Sequence, residues 1–375
     1  MIFMDNASTT RPDVEAVNTA IDYLKDKYLN PSATYAGDIK SDIEEAREEI
    51  ASLIGANYNE IYFTSGGSES NNWAIIKACE LNKNKGRHII SSKIEHHSVL
   101  HTLSYLEKIG YEVTYLSTDE NGNINTDDLK SAIREDTILI SIMFANNEIG
   151  TVEPIKEIDE IASAKNILFH TDAVQAVGHL HIDVNDLNID LLSASGHKFY
   201  STKGIGFLYI RHGVKLESLI HGGNQERSRR AGTENTFGII SMAKALSISC
   251  KNMVKDNLIQ KKLRDKLLWL ILTNIEGSKL NGDPANRLVN NINIYFENIN
   301  GELLLILLNQ KGVYASLGSA CTTGSVDPSH VIMAISNDKV RASSSLRLTL
   351  SKYTTEEEVL KTFEILKDCI MQLRK

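Results

Sequence analysis

Asp190-Leu191-Leu192-Ser193-Ala194-Ser195-Gly196-His197-Lys198 is a short apolar run that breaks at a Ser-Gly-His-Lys turn. It reads as a strand that delivers a lysine to the edge of a buried sheet. At such an edge the low dielectric disfavours the ammonium and frees the amine to attack a carbonyl. A lone lysine beyond a strand is ordinarily a solvated loop residue. Lys198 therefore takes its meaning from its neighbours.

Upstream, four other strand-like runs also end in polar clusters. Ile61-Tyr62-Phe63-Thr64 leads into Ser65-Gly66-Gly67-Ser68-Glu69-Ser70 and a helical run from Asn71 to Cys79. A strand, a glycine loop and a helix start offer backbone N–H groups and a positive dipole end to a phosphate. Taken alone, the loop is equally well a plain strand-to-helix turn. No Gly-Lys-Ser/Thr follows it, which argues against a P-loop nucleotide site. His88 to Ser92 runs into Lys93-Ile94-Glu95-His96-His97, where an imidazole serves stacking, proton transfer or a structural hydrogen bond. Thr137 to Phe144 is nearly all apolar, as a strand buried on both faces is, and ends in Asn146-Asn147-Glu148-Ile149-Gly150. Ile167 to His170 ends at Thr171-Asp172-Ala173-Val174-Gln175. A carboxylate at a buried strand end is costly without a cation, and a pyridinium nitrogen satisfies it. The alternative for Asp172 is a helix N-cap.

Between these runs lie helical stripes, and Ile205 to Ile210 reads as a further strand. The alternation predicts an α/β fold, a mostly parallel sheet covered on both faces. Ligands of such sheets bind beyond the carboxyl ends of the strands, where all five clusters fall. Asp38 to Ile54 carries a helical stripe, with Ser41 and Glu44 as a capping box and Gly55 as its stop. The segment from His221 to Asn235 is rich in glycine and arginine, with Arg227, Arg229 and Arg230 suited to an anion, a subunit contact or solvent.

Thr236 to Leu272 is helical and leads into a second unit. That unit reads as strand (Leu288 to Phe296), helix (Glu302 to Gln310), strand (Gly312 to Ser316), loop, strand (Leu346 to Leu350) and a last helix. Thr355 and Glu358 would cap this helix, with Val359, Phe363, Leu366 and Ile370 buried. The division expected is 13–256 for a large domain, with 1–12 and 257–375 for a small one. In the loop, Leu317-Gly318-Ser319-Ala320-Cys321-Thr322-Thr323-Gly324 sets a cysteine among small residues. Cys369 lies in an apolar periodic run, whereas Cys321 does not, so Cys321 reads as a reactive thiol. Arg347, inside a strand, is either an edge charge or a fork for a substrate carboxylate.

The 375 residues are 42% hydrophobic, with a net charge of −8. That charge does not favour direct nucleic-acid or anionic-membrane binding. No apolar run approaches the roughly 18 residues of a membrane span, and the N-terminus lacks the pattern of a secretory signal. Cys79, Cys250, Cys321 and Cys369 are scattered, with neither metal-ligand nor disulfide spacing. The chemistry predicts a reducing, cytoplasmic setting.

The motifs Ser65-Gly66-Gly67-Ser68-Glu69-Ser70-Asn71-Asn72, Asn146-Asn147-Glu148-Ile149-Gly150, Ser195-Gly196-His197-Lys198, Arg230-Ala231-Gly232-Thr233 and Gly318-Ser319-Ala320-Cys321-Thr322 resemble those of cysteine desulfurases of the NifS/IscS type. These are class V aminotransferase relatives of PLP fold type I. The resemblance spans essentially the whole chain and implies a seven-stranded large domain, a smaller α+β domain and the cofactor pyridoxal 5'-phosphate (PLP). It implies that Lys198 holds PLP covalently, Asp172 pairs with the pyridinium, His96 stacks on the ring and Gln175 reaches the phenolic oxygen. Gly67, Ser68, Ser195 and His197 would cradle the phosphate, with Thr233 joining them from the second subunit of a homodimer. Asn147 and Arg347 would hold the carboxylate of L-cysteine. Cys321, its thiol ionised with help from the site or from His96, would take the sulfur as a persulfide and pass it to an acceptor protein (an iron–sulfur scaffold or a tRNA-thiolation protein). A related PLP lyase or transaminase, such as a selenocysteine lyase, and a non-catalytic docking module with a vestigial site are the alternatives. The chain departs from the family pattern at Leu317, at Ser201-Thr202, at Ser351-Lys352-Tyr353 and at Tyr35.

Overall fold

The computed structural model describes residues 1–318 and 328–375. Its centre is a seven-stranded sheet in the order Ile61–Thr64, Gly206–Ile210, Leu191–Ser195, Leu168–Asp172, Thr137–Ser141, His88–Ser92 and Glu112–Leu116. Gly206–Ile210 runs against both of its neighbours, and the other strands share one direction. Their carboxyl ends therefore open on one edge. The inner strands are buried along their whole length, which accounts for their unbroken apolar runs.

Helix Gly67–Asn82 begins earlier than Asn71, the start expected from its apolar pattern. The reason is Gly66, whose φ of +149° ends the strand and lets Gly67 and Ser68 form the first helical turn. The helix Gly37–Leu53 is as expected, with Gly55 at φ +72° beyond its end. Its capping box is not: the helix starts at Gly37, Ala36 occupies the cap and Ser41 is interior. The Thr355–Glu358 capping box is formed as expected. The run Thr137 to Phe144 is a strand only to Ser141, the rest turning towards Asn146.

Helix Thr236–Asn274 joins two cores. Its Ile239, Met242 and Leu246 pack into the core of the large sheet. Further along, Leu263, Leu267 and Ile271 pack with a three-stranded antiparallel sheet of Ser278–Leu280, Asn291–Phe296 and Ser345–Thr349. Val359, Leu366 and Ile370 of the last helix close this second core. The chain start belongs there too, since Ile2–Phe3 pairs with Val313–Tyr314 and Met4 is fully buried. Strand Ser278–Leu280 and the short helices His330–Ser336 and Lys339–Ser343 were not legible as periodic runs; the helices are held by the caps Ser329 and Asp338. Among the described residues no helix is long and apolar enough to cross a membrane.

Candidate active site

The strand ends converge on a cavity of about 360 Å³. Gly67, Ser68, His96, Asn147, Asp172, Gln175, Ser195, His197, Lys198 and Arg347 all line it. Thr233 does not: its side chain is exposed, away from the cavity of its own chain. Cys321 lies outside the described residues. Arg227, Arg229 and Arg230 stay out of the cavity as well, with Arg230 pairing with Glu69 at 2.9 Å.

The turn bearing Lys198 is braced on two sides. His179 Nε2 meets the Lys198 carbonyl at 2.9 Å, and Thr10 donates through N and Oγ1 to the His197 carbonyl. Lys198 Nζ donates to the carbonyls of Ala7 and Ser8 at 2.6 and 2.8 Å. Gln175 Nε2 donates to the same Ala7 oxygen at 3.0 Å. Backbone acceptors of this kind carry no sequence signature, so the contribution of the N-terminal segment could not be read in advance.

Asp172 ends its strand nearly buried, and its fellow acceptors and donors are neutral. Oδ1 accepts from the Val174 N–H at 3.0 Å, an Asx turn rather than a helix cap, and Oδ2 accepts from Asn71 Nδ2 at 2.7 Å. The other Asn71 proton goes to Ser98 Oγ at 2.8 Å, which meets His96 Nδ1 at 2.8 Å. That nitrogen also accepts the Ser98 backbone N–H at 3.1 Å, so the neutral ring carries its proton on Nε2. Burial, then the charge of Lys198, pushes the His96 pKa down, against the pull of Asp172. Burial and the charges of Lys198 and Lys203 lower His197 to about 4. Both rings are therefore neutral near pH 7. Asn71 and Ser98 were missed as site residues because an Asn and a Ser within helical runs look like ordinary surface polarity.

Arg347 is buried on the edge strand of the second sheet yet lines the cavity. Nη1 donates to the Asn147 carbonyl at 3.0 Å and Nη2 to Asp5 Oδ1 at 2.7 Å.

These residues fit PLP on structural grounds. Two buried polar atoms of cavity-lining side chains, Asn71 Oδ1 and Arg347 Nε, have no partner among the described residues, as expected where a polar ligand binds. The Gly66 cap offers no side-chain acceptor to the first N–H groups of helix Gly67–Asn82, which leaves them for a phosphate. A Cβ on Gly67 would lie 2.6 Å from Val174 Cγ2, so the close approach requires glycine. The Asp172 carboxylate makes no ion pair among the described residues and suits a pyridinium N–H.

A family model described as Aminotransferase class-V matches residues 2–361. The chain belongs to the class-V aminotransferase family. It is 52% identical over 375 residues to a cysteine desulfurase IscS of Methanosarcina thermophila, covering 100% of this chain and 93% of the relative. A cysteine desulfurase IscS of Clostridium botulinum (strain Hall) is 49% identical over 378 residues, covering 100% and 95%. Among solved structures, a NifS-like protein superposes with a TM-score of 0.93 at 35% identity, covering 99% of each chain. A structure titled SspA in complex with cysteine gives 0.83 at 36% identity, covering 95% of this chain and 100% of that one. As a member of this class-V group, the chain is a PLP-dependent enzyme.

Proposed function

We propose that the chain converts L-cysteine to L-alanine as a PLP-dependent cysteine desulfurase and passes the sulfur to an acceptor protein. The observation that carries the reading is the convergence of Lys198, Asp172, His96 and Arg347, drawn from both cores, on one cavity.

When bound, PLP supplies an electron sink for charge leaving the substrate Cα and the breaking Cβ–Sγ bond. The chain does the rest. Lys198 would anchor the cofactor, and its amine, once free, would take the Cα proton. Asp172, held by Asn71 and the Val174 N–H, keeps the ring nitrogen protonated. His96, with its proton on Nε2, would stack on the ring. Gln175 reaches the phenolic oxygen. Gly67, Ser68, Ser195 and His197 hold the phosphate, with Thr233 reaching across from the partner of a homodimer. Asn147 and Arg347 orient the substrate by its carboxylate. The Cys321 thiolate forms a bond to the substrate sulfur as the Cβ–Sγ bond breaks. Protons returned to Cβ and Cα complete alanine, and Cys321 is left as a persulfide. The acceptor fits the class of iron–sulfur scaffold or tRNA-thiolation proteins.

Borohydride reduction of the yellow holoenzyme tests the anchor. Cofactor trapped on Lys198 supports the reading; cofactor trapped on Lys203, which also lines the cavity, overturns it. Alanine formed in step with sulfide or persulfide from L-cysteine separates a desulfurase from a transaminase, which yields the keto acid.

A further inference from the structure

The run Asn146-Asn147-Glu148-Ile149-Gly150 carries a carboxylate that the reaction above does not use. Glu148 is fully buried, with its N–H held by Asn146 Oδ1 at 2.8 Å and its carbonyl by Asn293 Nδ2 at 3.1 Å. A carboxylate so placed is costly without partners. Among the described residues it forms no ion pair, and Oε1 has no hydrogen-bond partner. Oε2 accepts the Ser329 hydroxyl at 2.5 Å. The same oxygen abuts Gly318, where a Cβ would lie 2.6 Å from it. Gly318 and Ser329 bracket the stretch of sequence that includes Cys321.

Each of these end residues is tied onward to the cavity wall. Ser316 Oγ donates to the Gly318 carbonyl at 3.1 Å, and Ser316 exchanges backbone hydrogen bonds of 2.7 and 3.2 Å with Arg347. Ser329 Oγ accepts the Ile332 N–H at 3.1 Å and so caps helix His330–Ser336. His330 Nε2 meets the carbonyl of Glu95, the residue before His96, at 2.9 Å. One carboxylate thus sits between the two ends and follows Asn147 directly in the chain.

We propose that Glu148 is a positioning residue for sulfur transfer, fixing both ends of the Cys321-bearing stretch relative to Asn147 and Arg347. The proposal rests on Cys321 as the sulfur acceptor. Because Glu148 acts on the thiol and not on the substrate, its loss slows turnover without weakening substrate binding. A displacement of about 1 Å between reacting groups costs up to roughly 100-fold in rate. An amide oxygen also accepts the Ser329 hydroxyl, so Gln substitutes for Glu148 where Ala does not.

The test compares Glu148→Ala, Glu148→Gln and Ser329→Ala holoenzymes for kcat and KM in alanine formation. The same changes, placed in a Cys321→Ser background, are read by the absorbance change on adding L-cysteine. Expected are kcat values lowered at least about 10-fold in both Ala variants, KM within about twofold of wild type, substantial recovery in Glu148→Gln, and an unaltered absorbance change. If Glu148→Ala does not fold, Ser329→Ala carries the test. Wild-type kcat in Ser329→Ala, a raised KM with a lost absorbance change, or a Gln variant as slow as Ala overturns the proposal. Failure of the underlying reading is distinct, since Cys321→Ser would then itself desulfurate cysteine, and the proposal falls with it.

Discussion

Asp5 Oδ1 accepts from Arg347 Nη2 at 2.7 Å, tying the start of the chain to a guanidinium that lines the cavity. Ser8 holds the other Asp5 oxygen at 2.6 Å, and the carbonyls of Ala7 and Ser8 hold Lys198. The N-terminal strap therefore links the amine expected to anchor the cofactor with the fork expected to receive the substrate.

Replacing Arg347 by Lys keeps the charge and loses the fork. Hydrogen bonds to charged groups contribute about 1.5–3 kcal/mol, so the KM for cysteine should rise about 10- to 100-fold. The resting cofactor spectrum should be unchanged. Steady-state kinetics checks this, and an unchanged KM would assign Arg347 to structure alone.

Glu153 gives the protein a pH dependence of stability. It is buried and, among the described residues, accepts only the Ile124 N–H at 3.0 Å through Oε2 and has no partner for Oε1. Burial raises its pKa to about 8. The folded state thus holds a proton that the unfolded state gives up near pH 4.5. This contribution is fully present below about pH 4.5 and is lost as pH rises through about 8. Glu153→Gln should flatten that loss, gaining on wild type as pH climbs from 5 to 8 in denaturant melts. Parallel curves for the two proteins would contradict the assignment.

The loop that carries Thr233 is anchored by a buried ion pair. Arg47 grips Glu226 through Nη1 and Nη2 at 2.7 and 2.9 Å, and Glu226 also accepts the Phe63 N–H at 2.8 Å. Arg47→Met leaves the carboxylate buried without its cation and should cost about 3–5 kcal/mol. Adding Glu226→Leu should recover part of that loss. Unfolding midpoints measure both, and an Arg47→Met protein as stable as wild type would sink the account.

The sheet was legible because strands buried on both faces leave unbroken apolar runs, and the polar clusters after them marked the edge that binds. Asp172 and Lys198 followed from the same logic, whereas His96 was set apart from His97 only by the family resemblance. Ala7 and Ser8, which line the cavity, and Asp5, which bonds Arg347, did not follow, since they come to the site only when the chain start pairs with Val313–Tyr314, a contact far away in sequence. Glu148 was quoted within a motif but given no role, because its partners Gly318 and Ser329 become its neighbours only in the fold. The Ser41–Glu44 box failed because the helix starts one turn earlier, at Gly37.

Thr233 is expected to serve the site of a partner subunit, in keeping with its exposure away from its own cavity. Lys198→Ala subunits mixed with Thr233→Ala subunits should form heterodimers in which one of the two sites regains wild-type PLP affinity. Heterodimers without that recovery would show that Thr233 is not shared.

The central claim is that Cys321 accepts the sulfur. Cys79 and Cys369 are buried in helices, where burial raises their thiol pKa values, and Cys250 lies half-buried in another helix with its pKa raised to about 11. None of these is poised as a thiolate near neutral pH. The decisive measurement is peptide mass spectrometry of the holoenzyme after brief treatment with L-cysteine, alongside alanine release by Cys321→Ser. The expected result is one added sulfur on the peptide containing Cys321 and no alanine from the variant. Sulfur found on another cysteine, or a Cys321→Ser enzyme that releases alanine at the wild-type rate, would contradict the account.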